Sequence, residues 1–176
     1  ITGLGNEVVT LSDTTLAADV LNNLNGNTSG VVNASTVTSI TGTASDINSA
    51  YAANTVGTLS GLGNESVTIS DTTLVASVLN TLDGNTSGTV NASTVTTLTG
   101  TASAANTALT SDGISNLGNE AVSISDTTLA ANVLNTLDGN TSGIVNASTI
   151  TTITGTGADA KTAFESDGIS GLTFDA

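Results

Sequence analysis

DTTLVASVLNTLDGNTSG, residues 71–88, returns as DTTLAANVLNTLDGNTSG at residues 126–143, and a first copy begins at Asp13. Sixteen of the eighteen positions agree between the two later copies, which differ only at Val75/Ala130 and Ser77/Asn132. The copies start 58 and then 55 residues apart. Self-similarity at a fixed period is the mark of a stacked array, because each unit can bury its apolar face only against its neighbours. Three long repeats follow, over residues 1–58, 59–113 and 114–170, with residues 171–176 starting a further one. The expectation is one continuous solenoid.

Working outward from that segment, each long repeat divides into two shorter strand–helix coils. Residues 7–12 (EVVTLS) alternate in strand fashion and are rich in β-branched side chains. Asp13 then stands where the N-cap of the following helix is expected. Leu16, Val20, Leu21 and Leu24 mark one helical face, and Gly26, with Gly84 and Gly139 in the copies, is expected to stop the helix. The spacing predicts the equivalent helices over 74–82 and 129–137. In the second coil, residues 32–41 (VNASTVTSIT) are expected as one extended stretch. Thr43 is placed as an N-cap with Asp46 three residues on, close to a capping box. Ala44, Ile47 and Tyr51 carry that helical face, matched by Ala102, Ala105, Ala108 and Leu109, and by Ala160, Ala163 and Phe164. Gly113 and Gly168 are expected to end those later helices.

Leu11, Ile40, Ile69, Leu98, Ile124 and Ile153 recur at intervals of 29, 29, 29, 26 and 29 residues, which predicts one column of neighbouring strands. A strand plus a helix every 26–29 residues leaves no room for a returning strand, so all strands must run the same way. Right-handed crossovers then give an α/β class fold, a parallel-strand α/β solenoid with two coils per long repeat. The absence of Pro agrees, since Pro would break a buried ladder.

Composition narrows function. The chain has 15 acidic residues against the single base Lys161, a net charge of −14. Nothing can neutralise phosphates, so nucleic acid is excluded as a partner, and anionic membrane with it. No apolar run reaches transmembrane length. Cations, basic partners, adjacent repeats or head-to-tail copies of the chain itself remain as partners. Disorder is the competing reading of so much Ser, Thr, Asn and Gly, but the apolar residues recur in register and the mean hydropathy is positive, +0.24. There is no Cys, hence neither disulfide nor thiolate metal site, and no Met even at position 1, which reads as a processed product or an excerpt of a longer polypeptide. With no His or Cys, one Lys and one Tyr, nucleophile–base pairs are scarce, and the chain is read as no enzyme.

Three acidic columns run through the repeats: Glu7, Glu65 and Glu120; Asp13, Asp71 and Asp126; and Asp83 with Asp138, where the first copy has Asn25. Asp83 and Asp138 are the candidate calcium ligands, because Asp-Gly-Asn-Thr-Ser-Gly offers carboxylate, amide, hydroxyl and backbone oxygens on a tight turn. The segment is neither a twelve-residue helix–loop–helix site nor a Gly-Gly-x-Gly-x-Asp nonapeptide. Asn33, Asn91 and Asn146 fall in sequon-like triplets, as do Asn27, Asn85 and Asn140. Turn chemistry, with Asn side chains stacked coil on coil, already accounts for them. The Thr-x-Thr motifs at 36–38, 94–96 and Thr149-Ile150-Thr151 suggest an ice-binding face, but they recur only every second coil, and Thr is a good strand former.

The stretch TLDGNTSGTVNASTVTTLTGTASAANTAL, residues 81–109, resembles the tandem Ser/Thr/Asn-rich repeats of very large surface and secreted proteins of marine cyanobacteria and related bacteria. The resemblance implies an extracellular or cell-surface role as spacer, adhesin or sheath component. The calcium nonapeptides such proteins carry elsewhere are missing here, so calcium binding is not implied by it.

Overall fold

The computed structural model describes residues 5–172. In the first long repeat, β1 (Val9–Thr10) and β2 (Thr15–Ala17) lead into α1 (Ala18–Gly26), and β3 (Val32–Asn33) and β4 (Ser39–Gly42) into α2 (Ala44–Val56). The second holds β5 (Leu59–Ser60), β6 (Ser66–Ile69), β7 (Thr73–Val75), α3 (Ala76–Asn85), β8 (Val90–Asn91), β9 (Thr97–Gly100) and α4 (Ala102–Leu109). The third holds β10 (Ile114–Ser115), β11 (Ala121–Ile124), β12 (Thr128–Ala130), α5 (Ala131–Asn140), β13 (Val145–Asn146), β14 (Thr152–Thr154), α6 (Gly157–Glu165) and β15 (Ile169–Ser170). All pairings between these strands are parallel and no sheet closes into a barrel. The fold is α/β, a parallel solenoid-like succession of strand–helix units.

The chain forms two compact units. One comprises Ile1–Asp71, Thr81–Thr94 and Gly113–Ser115; the other comprises Thr72–Asn80, Val95–Asp112 and Asn116–Ala176. The first unit contains a three-stranded sheet, β1-β3-β5, and a five-stranded sheet, β10-β8-β6-β4-β2, with α1 packed on α2. The second contains the five-stranded β15-β13-β11-β9-β7 and the pair β12-β14, with α5 packed on both α4 and α6.

The ladder differs from the predicted column. Ile40 pairs with Leu16 and Val67, Leu98 with Leu74 and Val122, and Ile153 with Leu129. Leu11 lies outside the strands, and Ile69 and Ile124 face Gly42 and Gly100. Paired residues are 23 or 24 apart, or 27 across the longer α2. The cause is a tight turn inside the stretch expected as one strand. The Asn33 carboxamide oxygen accepts from Ser35 N at 3.0 Å, and Val37 N donates to Ala34 O at 2.9 Å. The turn splits residues 32–41 into β3 and β4, which join different sheets. The coils that lead into α2, α4 and α6 therefore lay down two short strands each and those that lead into α3 and α5 three, and the 29-residue interval tracks half the sequence repeat instead of the ladder step. Five strands per repeat also shift the sheets. β1, β3 and β5 form their own sheet, whereas their equivalents β6, β8 and β10 extend the sheet begun by β2 and β4.

Helix limits move as well. Leu74 and Leu129 belong to β7 and β12, and α3 and α5 begin two residues later. Thr-Leu-Val and Thr-Leu-Ala pair in register with Thr-x-Thr segments of β9 and β14, and this tertiary ladder outweighs the helical spacing of the leucines. Gly26, Gly84 and Gly139 lie within the last turns of α1, α3 and α5. Gly113 and Gly168 lie beyond α4 and α6, whose C-caps are Thr110 and Ser166. The Thr43 cap is as expected: its hydroxyl accepts from Asp46 N at 3.1 Å and donates to the Asp46 carboxylate at 2.7 Å.

The interior is a lattice of small aliphatics. Leu21, Ile40, Ile47 and Leu59 in one unit, and Leu79, Leu98, Leu134 and Leu137 in the other, are fully buried. Ala44, Ala50, Ala102, Ala105 and Ala108 line the inward faces of α2 and α4, where a small side chain permits close approach to the sheet. Leu79→Ala should cost about 2–5 kcal/mol, as expected for a truncated core leucine. Chemical denaturation with an unchanged m-value would read that loss directly.

Candidate functional site

Among the described residues most carboxylates of the acidic columns are held by backbone N–H groups or turns. Glu65 is 0% exposed and Glu120 1%. The preceding Gly-Asn bends so that two successive backbone N–H groups meet one carboxylate oxygen. Glu65 Oε2 accepts from Gly63 N at 2.9 Å and Asn64 N at 3.2 Å; Glu120 Oε2 accepts from Gly118 N at 2.7 Å and Asn119 N at 3.1 Å. The Tyr51 hydroxyl of α2 adds a third hydrogen bond to Glu65 Oε2, at 3.0 Å. The second oxygen, Oε1, has no partner in either residue. Burial, and secondarily the nearby Glu65 carboxylate, pushes the Tyr51 phenol above its ordinary value.

The main chain of the same glutamates is tied down too. Thr86 Oγ1 donates to Glu65 O, and Thr141 Oγ1 to Glu120 O, both at 2.7 Å. Gly88 passes so close to that carbonyl that any Cβ would overlap it, as at Gly143 over Glu120. Glu7 makes the same turn with Gly5 N at 2.6 Å and Asn6 N at 3.1 Å but is exposed. These backbone donors, Gly5 first, hold its carboxyl below the usual range. Beside it is a cavity of about 160 Å³ lined by Gly5, Glu7, Val9, Leu24, Asn27 and Thr28. One repeat later the same six residue types, at 63, 65, 67, 82, 85 and 86, meet α2: Tyr51 reaches Glu65, and Asn85 Nδ2 donates to Asn48 Oδ1 at 2.9 Å.

The second column corrects the expected cap. α1 begins after Ala17 with no side-chain cap, so Asp13 does not cap the helix that follows it; the same holds for α5 and Asp126. The carboxylate instead reaches back across the array. Asp71 Oδ2 accepts from Ala44 N, the first residue of α2, at 2.7 Å, and Asp126 Oδ2 from Ala102 N of α4 at 2.8 Å. The short strands β2, β7 and β12 intervene between each Asp and its own helix, which puts that N-terminus out of reach. Among the described residues the Asp13 carboxylate takes no hydrogen bond.

The two calcium candidates sit beneath turns of a neighbouring coil. Asp138 Oδ2 accepts from Ser166 Oγ at 2.6 Å, while that hydroxyl accepts from Gly168 N at 3.1 Å. The carboxylate lies so near Gly168 that a Cβ there would overlap it, and Asp83 lies in the same way against Gly113. This close approach explains the glycine in Ser-Asp-Gly-Ile-Ser. Asp83 and Asp138 belong to different units, and among the described residues no three His, Cys, Asp or Glu side chains come together.

The hydroxyls of the Thr-x-Thr motifs, on exposed residues, donate to carbonyls of the preceding coil. Thr94 Oγ1 reaches Ile69 O and Asp71 O, each at 2.9 Å, and Thr96 Oγ1 reaches Thr72 O at 3.1 Å. Thr36, Thr38, Thr149 and Thr151 repeat the pattern. Asn91 and Asn146, like Asn33, close Asx turns on Ser93 N and Ser148 N at 3.1 Å, and in the ladder Asn91 and Asn146 face Ser115 and Ser170, not one another. Sequence reasoning missed the Tyr51–Glu65 contact and the backward cap. The one available signal was the Gly-Asn that precedes Glu7, Glu65 and Glu120 alike. No helix among the described residues is long and apolar enough to cross a membrane. Comparison with protein-family models, with curated proteins and with solved structures found no match.

Asp71→Ala should cost about 1 kcal/mol by uncapping α2, whereas Asp13→Ala should leave the melt of the isolated chain unchanged; equal losses would restore the own-helix cap. The raised Tyr51 pKa favours the neutral phenol in the fold, so that contribution is complete below the ordinary value of 10.0 and is lost as pH rises past it. Tyr51→Phe should cost about 1 kcal/mol near neutrality and should abolish this alkaline loss, read by denaturant melts between neutral and strongly alkaline pH.

Proposed function

We propose that the chain is a non-enzymatic structural repeat segment of an extracellular or cell-surface assembly, a spacer or sheath-like element that holds length and presents an acidic, hydroxylated face. The observation that carries this reading is the destination of the polar side chains. Asp71, Asp126, Glu65, Glu120 and the Thr-x-Thr hydroxyls bind backbone within their own array. Groups at equivalent positions doing equivalent work in successive repeats build a scaffold, whereas an active site needs a departure from the repeat. The resemblance of residues 81–109 to bacterial surface repeats supports the location. Adjacent repeats or copies of the chain are the partners this reading assigns.

Insertion of one, two and three extra copies of residues 71–125 tests it. Maximum dimension from small-angle scattering should rise by a constant step per copy, about 10 Å for two coils at roughly 4.8 Å each. Growth as a compact globule would overturn the spacer reading. Chelator should leave the thermal melt in place; a melt that falls with chelator and returns with calcium would transfer the assignment to a calcium-dependent module at Asp83 and Asp138.

A further inference from the structure

α4 and α5 pack side by side in the second unit, and a groove of about 410 Å³ lies between them. Asn106, Thr107 and the C-cap residue Thr110 form one wall, and Asn132, Thr136 and Asn140 of α5 form the other. The volume falls within the roughly 300–1,000 Å³ of small-molecule sites. No charged side chain lines the groove among the described residues, in a chain with 15 acids and one base.

The repeats depart from one another at this groove. Asn132 is one of the two differences between the 18-residue copies; Ser77 stands at its position in the second repeat and Asp19 in the first. Thr110 corresponds to Ala52 of α2 and to Glu165 of α6. The buried leucine beside the variable position is constant, as Leu21, Leu79 and Leu134. Bracing demands the same residue in every repeat, whereas recognition of a ligand at one place does not. Only the α4–α5 pair has an uncharged hydrogen-bonding side chain at both variable positions.

The polar groups are held in place and left partly unused. Asn140 Nδ2 donates to Asn106 Oδ1 at 2.9 Å, and Asn106 Nδ2 donates to Val133 O at 3.5 Å, which fixes both carboxamides. Asn140 keeps its amide oxygen and a second N–H, an acceptor and a donor side by side. The hydroxyls of Thr107, Thr110 and Thr136 donate to the carbonyls of Ser103, Asn106 and Asn132 at 3.0, 2.8 and 2.8 Å. Each threonine oxygen is then free to accept. The Ser103 hydroxyl and the Asn132 carboxamide make no hydrogen bond among the described residues. An anion would meet no cation here, and a metal ion no carboxylate. A ligand rich in hydroxyl groups would meet donors and acceptors in alternation, with Val133 and the threonine methyls against its C–H surface.

We propose that the α4–α5 groove binds an uncharged oligosaccharide. Adjacent hydroxyls of a sugar ring pair with the Asn140 and Asn132 carboxamides, and further hydroxyls donate to the threonine oxygens. No aromatic residue lines the groove to stack on a ring, so affinity rests on hydrogen bonds and the Kd is on the order of 1 mM. The site goes beyond the scaffold reading and stands or falls without it.

NMR titration of the isotope-labelled chain with maltohexaose, cellohexaose, mannohexaose and agarohexaose tests it. The amide signals of Asn106, Asn132 and Asn140 should shift and saturate with at least one of these sugars. Oligogalacturonate of the same length should leave them in place, because it is an anion facing a chain of net charge −14. Asn132→Ser and Thr110→Ala install the residues that Ser77 and Ala52 already supply at the equivalent positions, so both variants should melt as the parent does. Each should weaken binding about fivefold, the effect of losing one hydrogen bond. Val56→Ser, at an exposed position of α2, should bind as the parent does. The absence of a saturable shift with all four sugars overturns the proposal. So does binding that both groove variants leave intact, or that oligogalacturonate shares.

Discussion

A strand of two to four residues cannot stabilise itself, and everything else in this molecule follows from the need to complete each one from a neighbouring coil. Buried backbone N–H and C=O groups must be paired, and here the partner lies 23–27 residues away along the chain. Where the ladder stops, side chains continue it. Thr94 and Thr149 each bridge two carbonyls of the preceding coil, and Thr86 and Thr141 hold the carbonyl of a buried glutamate. Apolar burial supplies the driving force, but small aliphatics fit many arrangements. Directional bonds from coil to coil select one.

This constraint gives the acidic residues a different meaning from the one their charge suggests. Glu65 and Glu120 are removed from solvent and turned onto their own Gly-Asn backbone, while Asp71 and Asp126 reach back to the start of a helix. A carboxylate at a helix N-terminus meets unpaired N–H groups and the positive end of the helix dipole. Asp138 braces a Ser-Asp-Gly turn, with glycine required where the carboxylate passes. Much of the acidity is therefore internal bracing, repeated because the braced features repeat.

The same economy of contacts concerns how the repeats are joined. The β4–β6 and β9–β11 contacts carry matching registers, caps and amide bonds although one sits beside a long helix closed by Gly57 and the other beside a short one. The repeat-to-repeat contact is thus tolerant of helix length and strict about the strand, cap and turn. Tyr51, present at one contact only, is an added brace on Glu65; the equivalent residue of α4 is Leu109, which has no hydroxyl to offer.

The sequence by itself determined the period, the two strand–helix units per repeat, the parallel direction and the inward faces marked by Ile47 and Ala105, because these depend on spacing and residue size alone. Thr43 could also be read, since its partner Asp46 is three residues away. Only the tertiary structure decided which strands pair, that residues 32–41 break into two, and that Asp71 caps α2 and not α3. Local spacing reports what a residue can do for its own segment. In this chain the Asx turns at Asn33, Asn91 and Asn146 redirect the backbone and split their coils into two strands, and the helix N-terminus that Asp71 and Asp126 reach is the one in the coil before.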